Sequence, residues 1–239
     1  MKSLRFIFVM IVCLCTLQSA WAADGDVFTA KTVEGVDMTF TVISESEKTC
    51  IVGSISHYGT TLSIDKETKG CITIPNEVNG YKVTVIGYGA FRRCTGLTQV
   101  VLPGTIIKIE DVSFEGCSGL ASINIPNSVT SIGYEAFYCS GLTNLFIPQS
   151  VTTIRDLAFS ECRSLASIIV ESGNPVFDSR DNCNAIIFTE SNDLMTGCKN
   201  TVIPDGIIGI GGNAFSGQTG LTSISIPKSV VYICENAFC

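Results

Sequence analysis

The sequence predicts a mostly β solenoid of the α/β class, built from stacked coils of about 23 residues. One pattern, L-x-x-I-x-I-P-x-x-V-x-x-I-x-x-x-A-F-x-x-C, recurs between Leu97 and Cys239. Successive copies begin 22 or 23 residues apart, with one interval of 33. They start at Leu97, Leu120, Leu142, Leu165, Cys198 and Leu221. A single coil buries too little apolar surface to fold alone, so a fixed period of this length indicates that neighbouring coils complete one another's core.

The first 22 residues have the features of a secretory signal. Lys2 and Arg5 precede an apolar run from Phe6 to Leu17, and Ala20-Trp21-Ala22 forms an A-x-A cleavage site. The run is too short to span a bilayer. We therefore expect cleavage after Ala22 and export, to the extracellular medium or the cell surface.

Residues 23–69 lack the repeated pattern and alternate apolar and polar residues in places, so they predict a small β-rich N-terminal cap. A cap would shield the apolar edge of the first coil. The repeat array is predicted over residues 70–239. It begins with an irregular coil at Gly70, in which Asn79-Gly80-Tyr81 is interpreted as a loop.

Each regular copy predicts three short segments. In the copy from Leu120, Ile123 and Ile125 alternate as in a strand, and Pro126 ends that strand because it lacks a backbone donor. Val129 to Ile132 predicts a second extended segment. Ala136-Phe137 predicts a short helical turn that places the ring inside the coil. Periods in the low twenties are typical of leucine-rich repeats.

The copy from Leu165 departs from the pattern and predicts an inserted hairpin at about residues 171–198. Its strands are residues 183–189 and 193–198, joined by a turn at 190–193. The hairpin is expected either to project from its coil or to replace the convex side. The last repeat is cut short at Phe238-Cys239, so we expect either a fragment of a longer chain or an end that self-associates.

Ten cysteines follow the signal segment, and four of them, Cys94, Cys117, Cys139 and Cys162, come two or three residues after a repeat phenylalanine. Equivalent side chains of a stack run parallel instead of facing each other, which favours buried thiols over disulfides. Cys183 and Cys198 flank the predicted hairpin, so a cross-strand disulfide is considered there.

Composition and spacing disfavour several function classes. Removal of Lys2 and Arg5 with the signal changes the formal net charge from −7 to −9, which disfavours nucleic acid and anionic membranes as partners. No later apolar run could span a membrane. The only histidine, His57, has no nucleophile and carboxylate placed beside it. We therefore predict no catalytic residues, no metal and no cofactor.

The outward-facing strand positions are the predicted partner-binding residues. The residue between the two core positions of each L-x-x-I-x-I points away from the interior. Down the stack these residues are Val101, Asn124, Phe146, Ile169, Val202 and Ser225, and a polar row, which includes Asn144 and Ser167, lies two residues before them. An apolar row beside a polar row suits a protein ligand. The alternative is that the apolar residues are there for β propensity and lateral packing.

The repeats resemble the BspA-like leucine-rich repeats of bacterial surface proteins. The resemblance rests on Ile-Pro-Asn-Ser-Val-Thr-Ser-Ile-Gly at 125–133, on Ala136-Phe137, and on Cys139-Ser140-Gly141-Leu142. It implies a right-handed solenoid, a secreted or surface location, and adhesion to host matrix proteins or neighbouring cells. The predicted function is thus a noncatalytic, adhesin-like binding module. The alternatives are a structural spacer that self-associates through its last repeat and an enzyme with a site between cap and hairpin.

Overall fold

The computed structural model describes residues 22–55 and 62–239, which form short strands joined by turns. The predicted signal segment up to Trp21 lies outside the described residues, as does His57. The strands are β1 Val27–Lys31, β2 Asp37–Ser44, β3 Thr49–Val52, β4 Gly70–Thr73, β5 Glu77–Val78, β6 Tyr81–Ile86, β7 Leu97–Val101, β8 Lys108–Ile109, β9 Ser122–Ile123, β10 Ser131–Ile132, β11 Asn144–Ile147, β12 Thr153–Ile154, β13 Ser167–Val170, β14 Phe177–Asp178, β15 Ala185–Phe188, β16 Asp193–Gly197, β17 Gly209–Ile210 and β18 Tyr232–Ile233.

Both extended segments of the repeat are confirmed as strands in coils 1 to 4, whereas the first segments of coils 6 and 7 are not strands. We number the coils 1 to 7 from their first residues, which are Gly70, Leu97, Leu120, Leu142, Leu165, Cys198 and Leu221. The strands that begin coils 1 to 5 pair in parallel as β4-β7-β9 and β11-β13. The second segments of coils 1 to 4 pair in parallel as β6-β8-β10-β12, with Ile109, Ile132 and Ile154 in register.

The N-terminal strands continue this second sheet. β1, β2 and β3 are antiparallel, and β3 then pairs in parallel with β6 of coil 1. Met38, Phe40 and Val42 of β2 are fully buried in the same core cluster as the coils. The segment before the repeats therefore packs against the stack.

The predicted helical turn at Ala-Phe is wrong. In the described residues, the one helical element is a single 3-10 turn at Arg180–Asn182. In coil 3, the N–H groups of Glu135, Phe137 and Cys139 donate to carbonyl groups of coil 4. A helix needs those donors for its own turns, so the ladder between coils excludes it. Left-handed φ values of 51° at Glu135 and 55° at Cys139 also interrupt a helix.

The repeat phenylalanines form a column through the core. Phe91, Phe114, Phe137 and Phe159 stack with ring centroids 5.0, 5.1 and 5.4 Å apart. These separations match the spacing of neighbouring strands, so one ring is added for each coil. All four side chains are almost fully buried.

The cysteines beside this column are thiols in the structure, with one correction to the expected set. Cys94, Cys117 and Cys162 are buried three residues after a phenylalanine, whereas Cys139 is half-buried. In coil 3 the third residue is Ser140, which is buried and contacts the Cys162 thiol at 3.2 Å. Cys139 comes one residue too early to join the row.

The predicted loop at 79–81 is a tight turn between β5 and β6. Asn79 and Gly80 both have left-handed φ values, 50° and 82°, and Val78 pairs with Tyr81. This is the backbone that an Asn-Gly hairpin turn requires. The extra residues of coil 1 therefore add a strand to the sheet.

The segment inserted in coil 5 forms an antiparallel hairpin of β15 and β16 that stays within the stack. β16 pairs in parallel with β17 of coil 6. β15 is buried and separates two core clusters: Ile186 belongs to the N-terminal cluster, whereas Ala185 and Ile187 belong to the C-terminal one. The hairpin thus does not project from its coil.

The insertion also removes the Ala-Phe turn of coil 5. The Gly197 N–H donates to the Ala214 carbonyl, which in the other coils is the bond made by a repeat phenylalanine. The Glu161 N–H of coil 4 bonds directly to the Ser216 carbonyl of coil 6 at 3.2 Å. Coil 6 is therefore hydrogen-bonded to coil 4 through Glu161 and to coil 5 through Gly197.

Candidate protein-binding face

The strands that begin coils 2, 4 and 5 place alternate residues in the core and in solvent. Val100, Leu145 and Ile168 are buried, and the residues that follow each of them point outward. Phe146 lies opposite Ile169, and Asn144 opposite Ser167, in the β11–β13 ladder. Consecutive members of each predicted row are therefore neighbours on these two strands.

Exposure distinguishes the members of the apolar row. Phe146 is 47 % exposed and Ile169 is 52 % exposed, while Val101 is half-buried. Asn124 and Ser225 are exposed. Val202, at 70 %, is the most exposed of the apolar members.

Asn124 has a structural role that the sequence did not reveal. Its Oδ1 accepts a hydrogen bond from the Leu102 N–H at 2.8 Å, and its Nδ2 donates to the Leu102 carbonyl at 2.9 Å. The side-chain amide thereby takes the place of a strand residue where β7 ends. Its polar atoms are already engaged, so it offers less to a partner than its exposure suggests.

The predicted row is interrupted between Ile169 and Val202. The Val202 N–H donates to the Cys183 carbonyl at 3.0 Å instead of pairing with β13. The inserted segment therefore divides the row, and Val202 belongs to a separate patch beyond it. Phe146 and Ile169 remain as the paired apolar residues of the face.

A cavity of about 580 Å³, which was not predicted from the sequence, opens beside Phe146 and Ile169. Its other wall is the inserted segment, including residues 171–174 and 178–180. Asn174 fixes this wall, because its Nδ2 donates to the Pro148 and Val151 carbonyls at 2.9 and 2.8 Å. Ser179 joins the wall to β13 by accepting from the Val170 N–H at 2.9 Å.

An ion pair lies in this wall. The Arg180 Nε and Nη2 donate to the two carboxylate oxygens of Asp178 at 2.8 and 2.5 Å, and its Nη1 donates to Asn192 Oδ1 at 2.8 Å. Burial raises the pKa of Asp178, but the hydrogen bonds from Arg180 outweigh that effect, so the pKa lies below its usual range. The same bonds raise the pKa of Arg180. The pair stays ionised near neutral pH and adds no net charge to the cavity.

The thiols of Cys183 and Cys198 are buried and free in this structure, so the disulfide between them stays a prediction. The Cys183 Sγ lies 3.9 Å from the Ala185 carbonyl oxygen, and the Cys198 Sγ lies 3.5 Å from that of Asn184. Burial raises the pKa of Cys183 to about 11. The two residues belong to the two different core clusters.

In the described part of the chain, no group of three or more His, Cys, Asp or Glu side chains could hold a metal ion. None of the helices within residues 22–55 and 62–239 has the length and apolar character needed to cross a bilayer.

Comparison with solved structures supports a leucine-rich-repeat fold. A leucine-rich repeat protein from Eubacterium ventriosum aligns over 90 % of this chain with a TM-score of 0.61 and 19 % identity. This chain spans only 63 % of that protein's length. A leucine-rich repeat protein from Bacteroides ovatus aligns over 86 % of this chain and 55 % of its own, with 22 % identity and a TM-score of 0.49.

A leucine rich cell surface protein from Faecalibacterium prausnitzii aligns over 87 % of this chain and 72 % of its own, with 21 % identity and a TM-score of 0.48. No curated protein matches the sequence. The likeness to the Eubacterium ventriosum protein concerns the mostly β repeat architecture alone. The handedness and the 23-residue coil size stay predictions of the sequence.

Comparison with protein families gives a direct assignment. Six copies of the BspA type leucine rich repeat region match residues 68–186 and 188–239, which is more than half of the chain. The chain therefore belongs to the family of proteins with BspA-type leucine-rich repeats.

Proposed function

We propose that the protein is a noncatalytic, adhesin-like binding module, exported to the cell surface or beyond, which holds a host or neighbouring-cell protein on the face around Phe146 and Ile169. The observation that carries the proposal is the pairing of these two exposed apolar side chains at the mouth of the cavity. Repeat families of this kind commonly use extended solenoid surfaces for binding.

The contact chemistry suits an apolar side chain of the partner. Phe146 and Ile169 are each about half exposed, so a partner that covers them would bury the remaining apolar surface. Full burial of such a side chain is worth roughly 1.5–3 kcal/mol, and half of it roughly 1 kcal/mol. The Asp178–Arg180 ion pair, which carries no net charge, provides polar edges beside this apolar centre. This is the arrangement of an interface core and its rim.

The partner is expected to be basic around its apolar contact. The chain carries a formal net charge of −7, and −9 after loss of the predicted signal segment. An acidic surface increases the association rate of basic partners and lowers that of acidic ones. Binding should therefore weaken as the salt concentration rises.

The test uses residues 23–239 and a panel of purified matrix and cell-surface proteins. For a bound partner, Phe146→Asp and Ile169→Asp should each lower the affinity by about 30-fold or more, because each change loses about 1 kcal/mol of apolar burial and places a carboxylate in an apolar contact, for a total of about 2 kcal/mol or more. Val33→Asp is a matched control, because Val33 is 77 % exposed in the N-terminal segment. Unchanged binding by both face variants would refute this site.

Val202→Asp tests how far the face extends. The interrupted row predicts that this variant binds like the unmodified chain although Val202 is 70 % exposed. A loss of affinity equal to that of Phe146→Asp would show that the partner contacts the whole predicted row. The affinity measurement is the same for all four variants.

A second candidate function, self-association through the last coil, is favoured by its exposed apolar side chains. Val231, Ile233 and Phe238 are 78 %, 48 % and 42 % exposed. Burial of such side chains drives association of repeat arrays. Solution mass measured against concentration, with a chain ending at Gly220 for comparison, tests it. A monomer at all concentrations counts against a spacer that assembles in this way.

A further inference from the structure

We call the four residues between the end of a coil's second strand and its repeat phenylalanine the corner of that coil. The inserted hairpin shortens the corner of coil 5 by two residues. In coil 6, four residues separate Ile210 from Phe215, and coil 4 has the same number between Ile154 and Phe159. In coil 5, Leu194 pairs with Ile210, and Gly197 donates to Ala214 as a repeat phenylalanine does. Only Met195 and Thr196 lie between Leu194 and Gly197. The corner of coil 5 is therefore incomplete.

A cavity of about 410 Å³ lies where the corner residues are missing. We call it the corner notch. Residues 154–158 of coil 4 form one wall, residues 211–213 of coil 6 form the facing wall, and Met195 and Thr196 form the floor. The walls converge where the Glu161 N–H meets the Ser216 carbonyl at 3.2 Å.

The shortened corner interrupts a regular hydrogen bond between coils. In the other coils, the third corner residue donates its N–H to the carbonyl of the second corner residue of the next coil. These bonds are Gly89 to Asp111, Val112 to Tyr134, Glu135 to Asp156 and Asn213 to Glu235, at 2.8 to 3.4 Å. Within the described residues, the Leu157 N–H makes no such bond, and the Gly212 carbonyl, which would accept from coil 5, receives none.

The two unpaired backbone groups therefore belong to opposite walls of the notch. One is a donor, the Leu157 N–H, and the other is an acceptor, the Gly212 C=O. A trans peptide group points its C=O and N–H in opposite directions, so one such group can meet both walls. The volume agrees with this. A strand residue occupies roughly 160 Å³, from a rise of about 3.3 Å and spacings of about 4.8 and 10 Å, so the notch holds two to three residues.

An anion fits the notch less well than an amide. Asp156, an acidic residue, lines the notch, and the unpaired Gly212 carbonyl belongs to one of its walls. Arg155 also lines the notch, but its guanidinium is already paired with Asp111 at 2.9 Å. The donor and acceptor on facing walls favour a neutral group that has both functions.

We infer that the corner notch is a binding site for an extended peptide segment of a partner protein, which restores the missing rung by accepting from Leu157 N–H and donating to Gly212 C=O. This is strand addition at a single interrupted position of the ladder. The site is distinct from the face around Phe146 and Ile169, so either can fail without the other.

The first experiment follows backbone amide resonances of the isotope-labelled chain, residues 23–239. In the free protein, the Leu157 amide should exchange with solvent at least about tenfold faster than those of Val112 and Glu135, which are bonded to the next coil. Equal protection of the three amides would overturn the inference, since no donor would then be vacant.

The second experiment adds N-acetyl-alanine methylamide, which carries two trans peptide groups, at up to about 50 mM. The Leu157 amide resonance should shift and its exchange should slow. Two matched probes are used: 2-pyrrolidinone, whose ring holds C=O and N–H on the same side, and sodium acetate, an anion. No shift with the peptide probe, or an equal shift with either control, contradicts a peptide site.

The third experiment fills the notch. Insertion of Gly-Asn between Met195 and Thr196 restores the corner length, and should protect the Leu157 amide and abolish the response to the probe. The same insertion between Glu190 and Ser191, in the hairpin turn, is the matched control and should leave the response unchanged. Thr196→Trp occupies the notch without changing the chain length and should also abolish the response. A response that persists in both filled variants refutes the site.

Discussion

Replacement of Gly197 by alanine should destabilise the C-terminal coils strongly although it adds one methyl group. A Cβ atom there would lie 2.1 Å from Cε1 and 2.6 Å from Cζ of Phe215. Carbon atoms in contact are normally about 3.5–4.0 Å apart, so one of the two residues must move by more than 1 Å, roughly. The ring has little room to retreat, because Phe238 stacks on it at 5.0 Å. We expect a loss of about 3 kcal/mol, the upper end for overpacking.

The matched control is Gly104→Ala, because nothing lies within 4 Å of a Cβ at Gly104. That variant should be neutral or gain about 0.4–1 kcal/mol from a less flexible unfolded chain. Urea unfolding measures the free-energy difference. Amide exchange at Gly197, whose N–H bonds to Ala214, locates the effect in the C-terminal coils.

A double-mutant cycle with Phe215→Ala separates the clash from other effects. Loss of the ring alone should cost about 3–5 kcal/mol. Gly197→Ala should then add almost nothing, because the atoms that it would meet are gone, and this corresponds to a coupling energy of about 3 kcal/mol. Equal stability of Gly197→Ala and Gly104→Ala would refute the reasoning, and so would additivity with Phe215→Ala.

Three further predictions concern thiols, the phenylalanine column and acid. Burial raises the pKa of Cys117 to about 12, so a thiol reagent at pH 8 should modify the exposed Cys71 in the folded chain and Cys117 only after unfolding. Phe137→Ala, which removes a ring stacked on both sides, should cost about 3–5 kcal/mol in urea unfolding, with the exposed Phe146→Ala as the control. The pKa of Asp178 is lowered by its bonds to Arg180, so their stabilisation is complete above the unfolded carboxyl pKa of about 3.9 and is lost as the pH falls through the folded value. Asp178→Asn should remove that acid-dependent loss, as measured by unfolding at pH 2 to 6, and an unchanged pH profile would contradict the assignment.

The strands and the core could be predicted from the sequence because each depends on a local alternation. Ile123 and Ile132 indicate their strands through spacing alone. The Ala-Phe turn could not be predicted in this way, since the hydrogen bonds that exclude a helix run to the next coil. Two details that the sequence analysis missed, the turn type at 79–80 and the offset of Cys139, had visible signals. Asn79-Gly80 is a strong hairpin-turn pair, and Cys139 follows Phe137 by two residues where its counterparts follow by three.

The candidate sites were predictable only in part, because both depend on where the inserted hairpin lies. The exposure of Phe146 and Ile169 follows from strand alternation. The cavity beside them requires the positions of Asn174 and Arg180, which are fixed by contacts with distant residues. The corner notch could have been found by counting two residues between Leu194 and Gly197, but only after β16 was aligned with β17.

The division of the core by β15 has a consequence for cooperativity. Ile186 packs with the coils before the hairpin, and Ile187 packs with those after it, so the two blocks share one strand and few other core side chains. In a repeat array, stability is propagated from neighbour to neighbour, and a weak junction lets the two sides open independently. We expect the chain to unfold in two steps, with the coils after Gly197 opening first. Limited proteolysis under mild denaturation would then release a stable fragment that ends near the hairpin.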